Sequence, residues 1–517
     1  MKLSQLFVNS KVIDDREVKA ITFDSRNVDE FTVFVAIRGS KVDGHTFIPE
    51  VLKKNPAAIV VESGYVEKEA QKFSKIEVAH TSTHFEKVPD TRVELERLAR
   101  FFYGDPAEKL YSVAVTGTNG KTSITYMVEA VLNHLGQPTG VIGTVNHHLG
   151  TQNVWNTELT TPDALTLQKR LADFVSLGAK AVAFEASSHA LSQNRVGSIA
   201  FDAMIFTNLT RDHLDYHKTM EEYFLAKEKL FRELPAQIKT QKQNQPVAII
   251  NYSDAYGPKI RVAPNVKLWS YGEAKSGAGD QPSAKSKVDF EFEILKSDFA
   301  GTSFKLTALG EAKILHIPLV GKHNVYNAVA ALAVGMATGA TLEAAHAGLK
   351  NFTGVPGRLQ RVQHSQDLNV FVDYAHTDDA LKTVLSALQD IRKSANLKNK
   401  IITVFGCGGD RDKGKRPLML KAAMAGSDKV VITSDNPRTE SPASIIDDIL
   451  TGVMHTKSEQ IVVEVDRKQA INKAIEMARP GDVVLIAGKG HEDYQIIGTQ
   501  KLPFSDFAVA EGILNGL

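Results

Sequence analysis

The run Ser112-Val113-Ala114-Val115-Thr116-Gly117-Thr118-Asn119-Gly120-Lys121-Thr122-Ser123 constrains this chain more than any other stretch. Val113 and Val115 belong to a short apolar strand, and Met127, Val128, Val131 and Leu132 recur at helical spacing just past the glycines. Strand, glycine turn and helix in that order predict a nucleotide-phosphate cradle. Glycines let backbone N–H groups approach a phosphate, the helix N-terminus adds partial positive charge, Lys121 supplies a mobile ammonium and Thr122 a hydroxyl for Mg2+. The general pattern places a glycine six residues before the lysine, where Val115 stands, so the cradle is a shortened one. A tight turn with a solvated lysine is the plain alternative.

A chain of 517 residues exceeds one hydrophobic core and suggests about three domains. Lys and Arg total 61 against 60 Asp and Glu, which gives no broad attraction to nucleic acid or anionic membrane. The single cysteine, Cys407, excludes an internal disulfide and fits a reducing compartment. The N-terminal residues have too short an apolar run for a signal peptide, and no stretch has the length of a membrane span. A cytoplasmic protein with no membrane insertion is expected.

Residues 1–108 mix short β runs with helices. Ile21 to Arg26, Val33 to Ile37 and Ala57 to Val61 read as strands, and Arg38 to Gly44 is a polar glycine loop. This module either binds a ligand through Ser25 and the loop from Gly39 to Gly44 or is a small α/β domain with ordinary turns. Residues 109–353 alternate strand and helix, which predicts a parallel sheet. Strands at Ala181 to Glu185 and Ala203 to Asn208 run into polar segments, making Glu185 and His213 candidates for a metal or phosphate site beyond the strand ends. Ser276 to Lys287 reads as a mobile loop rich in Gly, Ser and Lys, and Val288 to Ile294 as a half-exposed strand. From 354 to 517, strands at Asn369 to Val372, Ile401 to Phe405, Val430 to Thr433 and Val483 to Ala487 each enter a polar turn. Those turns are Asp373 to His376, Gly406 to Asp412, Ser434 to Arg438 and Gly488 to Glu492, and together they predict a second binding face. Ser441-Pro442 has the form of an N-cap followed by Pro at the first helical position.

With these elements in place the chain resembles the Mur ligases, the ATP-dependent amide ligases of peptidoglycan precursor synthesis, and among them the enzymes that add the third amino acid. The resemblance spans nearly the whole sequence: TGTNGKT at 116–122, EASSHALSQNRV at 185–196, TNLTRDHLDYH at 207–217, GKHNVYN at 321–327, GVPGRLQ at 354–360, DYAHT at 373–377, GCGGDRDKGKRP at 406–417, DNPRTE at 435–440 and AGKGHEDYQ at 487–495. It implies an α/β fold of three domains: a small uridine-nucleotide-binding domain, a central P-loop parallel-sheet domain and a C-terminal Rossmann-like domain.

The resemblance also implies roles. Gly117, Thr118, Asn119, Gly120, Lys121, Thr122 and Ser123 would hold ATP together with Asn324, Asn327, Arg358 and Asp373. Thr122, Glu185, His213 and Lys227 would serve Mg2+, with Lys227 carbamylated; by its residue pattern alone Lys227 is an ordinary helix-surface lysine. UDP-MurNAc-L-Ala-D-Glu would contact Phe23, Ser25, Ser40, Lys41, Val42, Thr160, Thr161, Ser187, Gln193 and Arg195. Arg411, Asp435, Asn436, Pro437, Arg438, Gly488 and Glu492 match a meso-diaminopimelate pocket, where Arg438 can pair with the distal carboxylate and repel the terminal ammonium of lysine. Leu159 stands where many relatives have asparagine, and Asp378 replaces a proline in what reads as a turn. Catalysis would run through an acyl phosphate on D-glutamate with no side-chain nucleophile, and a monomer is expected. Cys407 reads as a small buried residue, and His189, His376 and His491 receive no proton-transfer role. A lysine-adding or folylpolyglutamate-type ligase, or a P-loop NTPase coupled to assembly or transport, are the competing readings.

Overall fold

Runs such as Ala181-Val182-Ala183-Phe184 and Val483-Val484-Leu485-Ile486 are apolar at every position, which suits strands covered on both faces, and parallel sheets meet that requirement. In the computed structural model, residues 1–39, 42–157, 159–238, 240–274, 288–453 and 459–516 are described. Ser276 to Lys287 lies outside the described residues, as do Ser40 and Lys41. The chain divides into two compact units, one of Met1–Lys121, Leu132–Tyr271 and Ala337–Gly339, the other of Thr122–Val131, Gly272–Met336 and Ala340–Leu517.

The first unit holds two sheets. β1 (Ala20–Thr22), β2 (Thr32–Val35), β3 (Ala58–Glu62) and β4 (His84–Val88) form a parallel four-stranded sheet in sequence order. Separate apolar clusters cover its two faces, one around Leu3, Val33 and Leu98, the other around Phe34, Ile59 and Phe73. The expected strand from Ile21 to Arg26 stops at Thr22, because Asp24 accepts from Arg26 N and caps a 3-10 turn over Ser25–Asn27. The second sheet contains β5 (Tyr111–Thr116), β6 (Thr139–Ile142), β7 (His147–Leu149), β8 (Asn153–Trp155), β9 (Ala181–Glu185), β10 (Ala203–Phe206), β11 (Val247–Asn251) and β12 (Lys267–Glu273), ordered β12-β11-β10-β5-β9-β6-β7-β8. All neighbours are parallel up to β6, and β7 and β8 close the edge as an antiparallel pair. β5 is flanked by β9 and β10, with the later strands β10 to β12 on one side and β9 and β6 on the other, so its carboxyl end is the switch point at which such sheets bind ligands. The glycine turn occupies that end.

In the second unit, β13 (Phe290–Asp298), β14 (Gly301–Ala308) and β15 (Glu311–Ile317) pair antiparallel, with Phe290 and Phe292 buried and Glu293 exposed, as the alternation predicts. β16 (Gln360–Arg361), β17 (Asn369–Asp373), β18 (Ile401–Phe405), β19 (Lys429–Ile432), β20 (Ile461–Val463) and β21 (Val483–Ala487) form a sheet ordered β16-β17-β21-β18-β19-β20. β17, β21, β18 and β19 are consecutive and parallel, so the four polar turns that follow them share one edge. Asp378 sits not in a turn but at the first position of the helix Asp378–Ser394, beside the capping Thr377. An acidic residue is favoured there by the helix dipole, which explains how it stands in for proline. Ser441 does precede the helix Pro442–Leu450, but its side chain makes no capping hydrogen bond.

Candidate active site

The phosphate turn begins where β5 ends. Gly117 has φ +147° and a Cβ there would overlap Thr207 Oγ1, so only glycine permits the close approach of the β10 end to the loop. Thr118 N donates to Asn208 O at 2.9 Å, Asn119 N to Asn208 Oδ1 at 2.9 Å, and Thr207 Oγ1 to Asn119 O at 2.7 Å. Thr118 Oγ1 accepts from Thr210 N at 3.0 Å and lies 3.2 Å from Tyr223 OH. Thr207, Asn208, Thr210 and Tyr223 therefore set the loop's shape. Three of them fall within TNLTRDHLDYH, where nothing local in the sequence marks a role in shaping the loop. Lys121 Nζ donates to the Gly117 and Thr118 carbonyls, 2.9 Å each, at the head of the helix Lys121–His134.

Lys227 lies on the helix Met220–Arg232 and is 1% exposed, so it is not a surface lysine. Its Nζ donates to Gly117 O at 2.9 Å and stands 4.5 Å from the Tyr223 ring centre. Burial, and next the positive charge of Lys121, hold its amine well below the usual lysine range, with Asp212 opposing. His213, at φ +52°, is half exposed with Nε2 3.4 Å from Asp212 Oδ2, and its ring meets that of His189 edge-on at 5.0 Å. Among the described residues no group of three or more His, Cys, Asp or Glu could hold a metal ion. A Mg2+ here would keep most of its ligands from nucleotide phosphate and water, the usual habit of that ion.

Glu185 ends β9, paired with Val115 of β5, so its carboxylate stands one strand from the loop. It is 1% exposed, and its oxygens accept from Thr144 N at 2.7 Å and Thr144 Oγ1 at 3.1 Å. A Cβ on Gly143 would overlap Glu185 Oε1. Thr144 Oγ1 is 3.1 Å from Thr160 Oγ1, and Thr161 Oγ1 donates to the Glu185 carbonyl at 2.6 Å and lies 3.2 Å from Ser187 Oγ. Arg195 Nη1 donates to Thr161 O at 2.7 Å and Nη2 to Gln193 Oε1 at 2.6 Å, while Gln193 Nε2 reaches Tyr216 OH at 3.3 Å. Thr160, Thr161, Ser187, Gln193, Arg195 and Glu185 thus form one connected network. Gly143 and Thr144 were missed because nothing in the sequence near them signals a partner 41 residues away. Leu159 is exposed beside this network, its N–H on Thr157 Oγ1. In the small sheet, Phe23 and Val42 are exposed, and the Ser25 carbonyl accepts from Lys54 Nζ at 2.9 Å.

In the second unit, Asn324 and Asn327 are buried on the helix Lys322–Ala337, with Asn324 Nδ2 on Val320 O at 2.9 Å. Asp373 accepts from Leu359 N at 2.6 Å and Ala375 N at 2.8 Å, and burial pushes its carboxyl up. Arg358 lies over the Tyr374 ring at 5.8 Å. On the shared turn edge, Arg438 adopts φ +50° and donates from Nη1 to Gly409 O at 2.8 Å. Gly409 N in turn donates to Asn436 O, and a Cβ at Gly409 would overlap Pro437 O. Glu492 Oε2 accepts from Asn436 Nδ2 at 2.9 Å and Lys489 Nζ at 3.0 Å, with Lys489 fully buried. Arg467, buried, is paired with Asp506 at 2.7 Å and stands 4.0 Å from Asp435 Oδ2. Gly488 leads into this turn with φ +117°, and Arg411 is exposed on its neighbour. Arg416, also buried, joins Glu440, Asp448 and the Gly408 carbonyl. Cys407 is 2% exposed, 3.6 Å from Met419 Sδ, with its thiol pushed up to about 12 by burial, which suits a packing residue. No helix among the described residues is long and apolar enough to cross a membrane.

Models of the Mur ligase family match in three stretches: its catalytic domain at residues 17–103, its middle domain at 115–335 and its glutamate ligase domain at 357–490. The chain is 41% identical to the UDP-N-acetylmuramoyl-L-alanyl-D-glutamate--2,6-diaminopimelate ligase of Aquifex aeolicus, over 97% of this chain and 94% of that one. It is 43% identical to the ligase of the same name from Lawsonia intracellularis, over 96% and 95%. A solved structure of a ligase of that name superposes with a TM-score of 0.71 at 31% identity, over 99% of this chain and 98% of that one. Matched in all three stretches and along nearly its full length, the chain belongs to the Mur ligase family.

Proposed function

We propose that this chain is the ATP-dependent ligase that joins meso-2,6-diaminopimelate to the D-glutamate γ-carboxylate of UDP-MurNAc-L-Ala-D-Glu in peptidoglycan precursor synthesis. The observation that carries the reading is the adjacency of β5 and β9: Val115 pairs with Glu185, so the phosphate loop and the polar network around Glu185 lie at the ends of two neighbouring strands. A ligase needs that adjacency, because the γ-phosphoryl of ATP must reach the acceptor carboxylate before an amine attacks the acyl phosphate. Lys121 and the loop amides hold developing phosphate charge, while Thr160, Thr161, Ser187, Gln193 and Arg195 orient the acceptor. Mg2+, on Thr122, Glu185, His213 and carbamylated Lys227, would neutralise phosphate oxygens. The depressed amine of Lys227 supports the modification, since only an unprotonated amine adds carbon dioxide.

Phe23, Ser25 and the segment Ser40, Lys41 and Val42 are assigned to the uridine end, and Asn324, Asn327, Arg358 and Asp373 to ATP. Arg411, Asp435, Asn436, Pro437, Arg438, Gly488 and Glu492 are assigned to diaminopimelate. The support is chemical: Glu492 is an anchored carboxylate for an ammonium, and Arg438 a guanidinium for a second carboxylate on the same turn edge. We place domain boundaries near residues 108 and 353 and take the cytoplasmic monomer as the working form. The test is phosphate release with UDP-MurNAc-L-Ala-D-Glu and a panel of amino acids. Release with meso-diaminopimelate and not with lysine is expected; ATP turnover without any amino acid would favour a coupled NTPase instead.

A further inference from the structure

Glu96 is a buried carboxylate of the first unit that no part of the proposed reaction uses. It lies on the helix Thr91–Phe102, 2% exposed, in an amphipathic segment whose other buried residues include Leu95, Leu98 and Ala99. Its side chain leaves the four-stranded module and meets the loop that follows the helix Ser188–Ser192: Oε1 accepts from Ser198 N at 2.6 Å, and Oε2 lies 2.7 Å from Asn194 Nδ2. Asn194 has φ +54°, and a Cβ on Gly197 would overlap its amide and crowd Glu96 Oε2, so the loop is folded closely around this one carboxyl. Between the two bonded residues lies Arg195, whose guanidinium reaches Thr161 O and Gln193 Oε1.

We propose that Glu96 is a positioning residue for acceptor binding: by fastening Asn194 and Ser198 it fixes the loop on which Arg195 and Gln193 are carried. This rests on the acceptor assignment made above. A fastener of this kind acts through backbone geometry, so losing it disperses Arg195 over several orientations and lowers affinity for the nucleotide dipeptide more than it slows the bound complex.

The same carboxyl gives the grip a pH dependence. Burial raises Glu96 to about 8, opposed by the Ser198 bonds and by Lys229, so burial favours its neutral form. A neutral carboxyl keeps both contacts: its carbonyl oxygen accepts from Ser198 N, and its O–H donates to the Asn194 amide oxygen once that amide is turned over. The charged groups facing it are Lys229 of the helix Met220–Arg232 and Arg100 one turn along its own helix, the latter paired with Asp105 and Glu108. Ionisation leaves a buried charge that neither lysine nor arginine contacts directly in the observed bonds, and the loop loosens. The folded-state value stands above the ordinary one near 4.5, so the stability associated with Glu96 is full below pH 4.5 and is lost as pH rises through about 8.

The deciding experiment measures KM for UDP-MurNAc-L-Ala-D-Glu, KM for ATP and kcat between pH 6.5 and 9.5 in the wild type, Glu96→Gln, Glu96→Ala, Arg195→Ala and the Glu96→Ala/Arg195→Ala double variant. Glu96→Ala should raise acceptor KM roughly tenfold at pH 7 with little change in ATP KM. Acceptor KM of the wild type should rise at alkaline pH, and Glu96→Gln should restore the affinity and abolish that rise; a flat wild-type profile would also overturn the proposal. The double variant should be no worse than Arg195→Ala alone. Equal effects on both KM values, additive losses in the double variant, or an alkaline rise that persists in Glu96→Gln would each overturn the proposal. If Glu96→Ala does not fold, the Glu96→Gln pH profile decides. Failure of the wild type to turn over this acceptor at all would strike the proposed function, an outcome separate from any difference among Glu96 variants.

Discussion

The amine of Lys227 donates to the Gly117 carbonyl across 2.9 Å, joining the helix Met220–Arg232 to the phosphate loop through a group that burial and Lys121 hold well below the usual lysine range. A carboxylated side chain at that point would place an anion beside Lys121 and the loop, where a metal–phosphate pair needs one. Mass spectrometry of protein prepared in bicarbonate should therefore show Lys227 carrying a carbamate that is lost on acid treatment. Lys227→Met should lose activity on the order of 100-fold or more; an active Lys227→Met enzyme would remove the residue from the reaction.

Lys121→Ala should abolish measurable product formation, since the residue supplies the mobile charge of the cradle. Steady-state phosphate release is the measurement. Nucleotide binding followed by fluorescence separates loss of chemistry from loss of ATP.

Gly143→Ala tests the approach of a backbone to a carboxylate. The added methyl would drive against Glu185 Oε1 and unseat it from Thr144. Folding should cost about 1–3 kcal/mol, and kcat should fall while KM for the amino acid is kept, readable from denaturant melts and rate assays together.

Arg438→Ala should raise KM for meso-diaminopimelate roughly ten- to hundredfold while sparing both nucleotides. Its φ of +50° adds a control: Arg438→Gly keeps the turn while removing the guanidinium, so similar losses in the two variants assign the effect to charge rather than to backbone.

Arg416 binds Glu440 at 2.9 Å, and that hydrogen bond, with a second from Asp410 N, holds the Glu440 carboxyl down at about 2. The folded-state value is depressed, so this contribution is present above about pH 4.5 and lost as pH falls toward 2. Glu440→Gln should flatten the acid limb of the melting-temperature profile over that window.

The strands Ala181–Glu185, Ile401–Phe405 and Val483–Ala487 were legible residue for residue, because a strand buried on both faces is a nearly continuous apolar run, broken here only at Glu185 and Thr403. The turns after them were legible for the complementary reason: polar residues directly after such a strand lie at a sheet edge. Burial of a charged residue on a helix was not legible. Lys227 and Glu96 occupy helices whose spacing also admits a solvated side chain, and what buries each of them comes from segments far off in the chain. The bond from Thr144 to Glu185 is of the same kind, while the early end of β1 turned on one aspartate capping a turn.

The setting of Cys407 has a practical side. The chain's single thiol is closed off by the core and holds its proton through the neutral range, so maleimides and similar reagents will pass it by. The native enzyme is thus a silent background for labelling, and a cysteine introduced at an exposed position such as Val42 or Leu159 will carry a fluorophore or spin label without the native thiol being removed first.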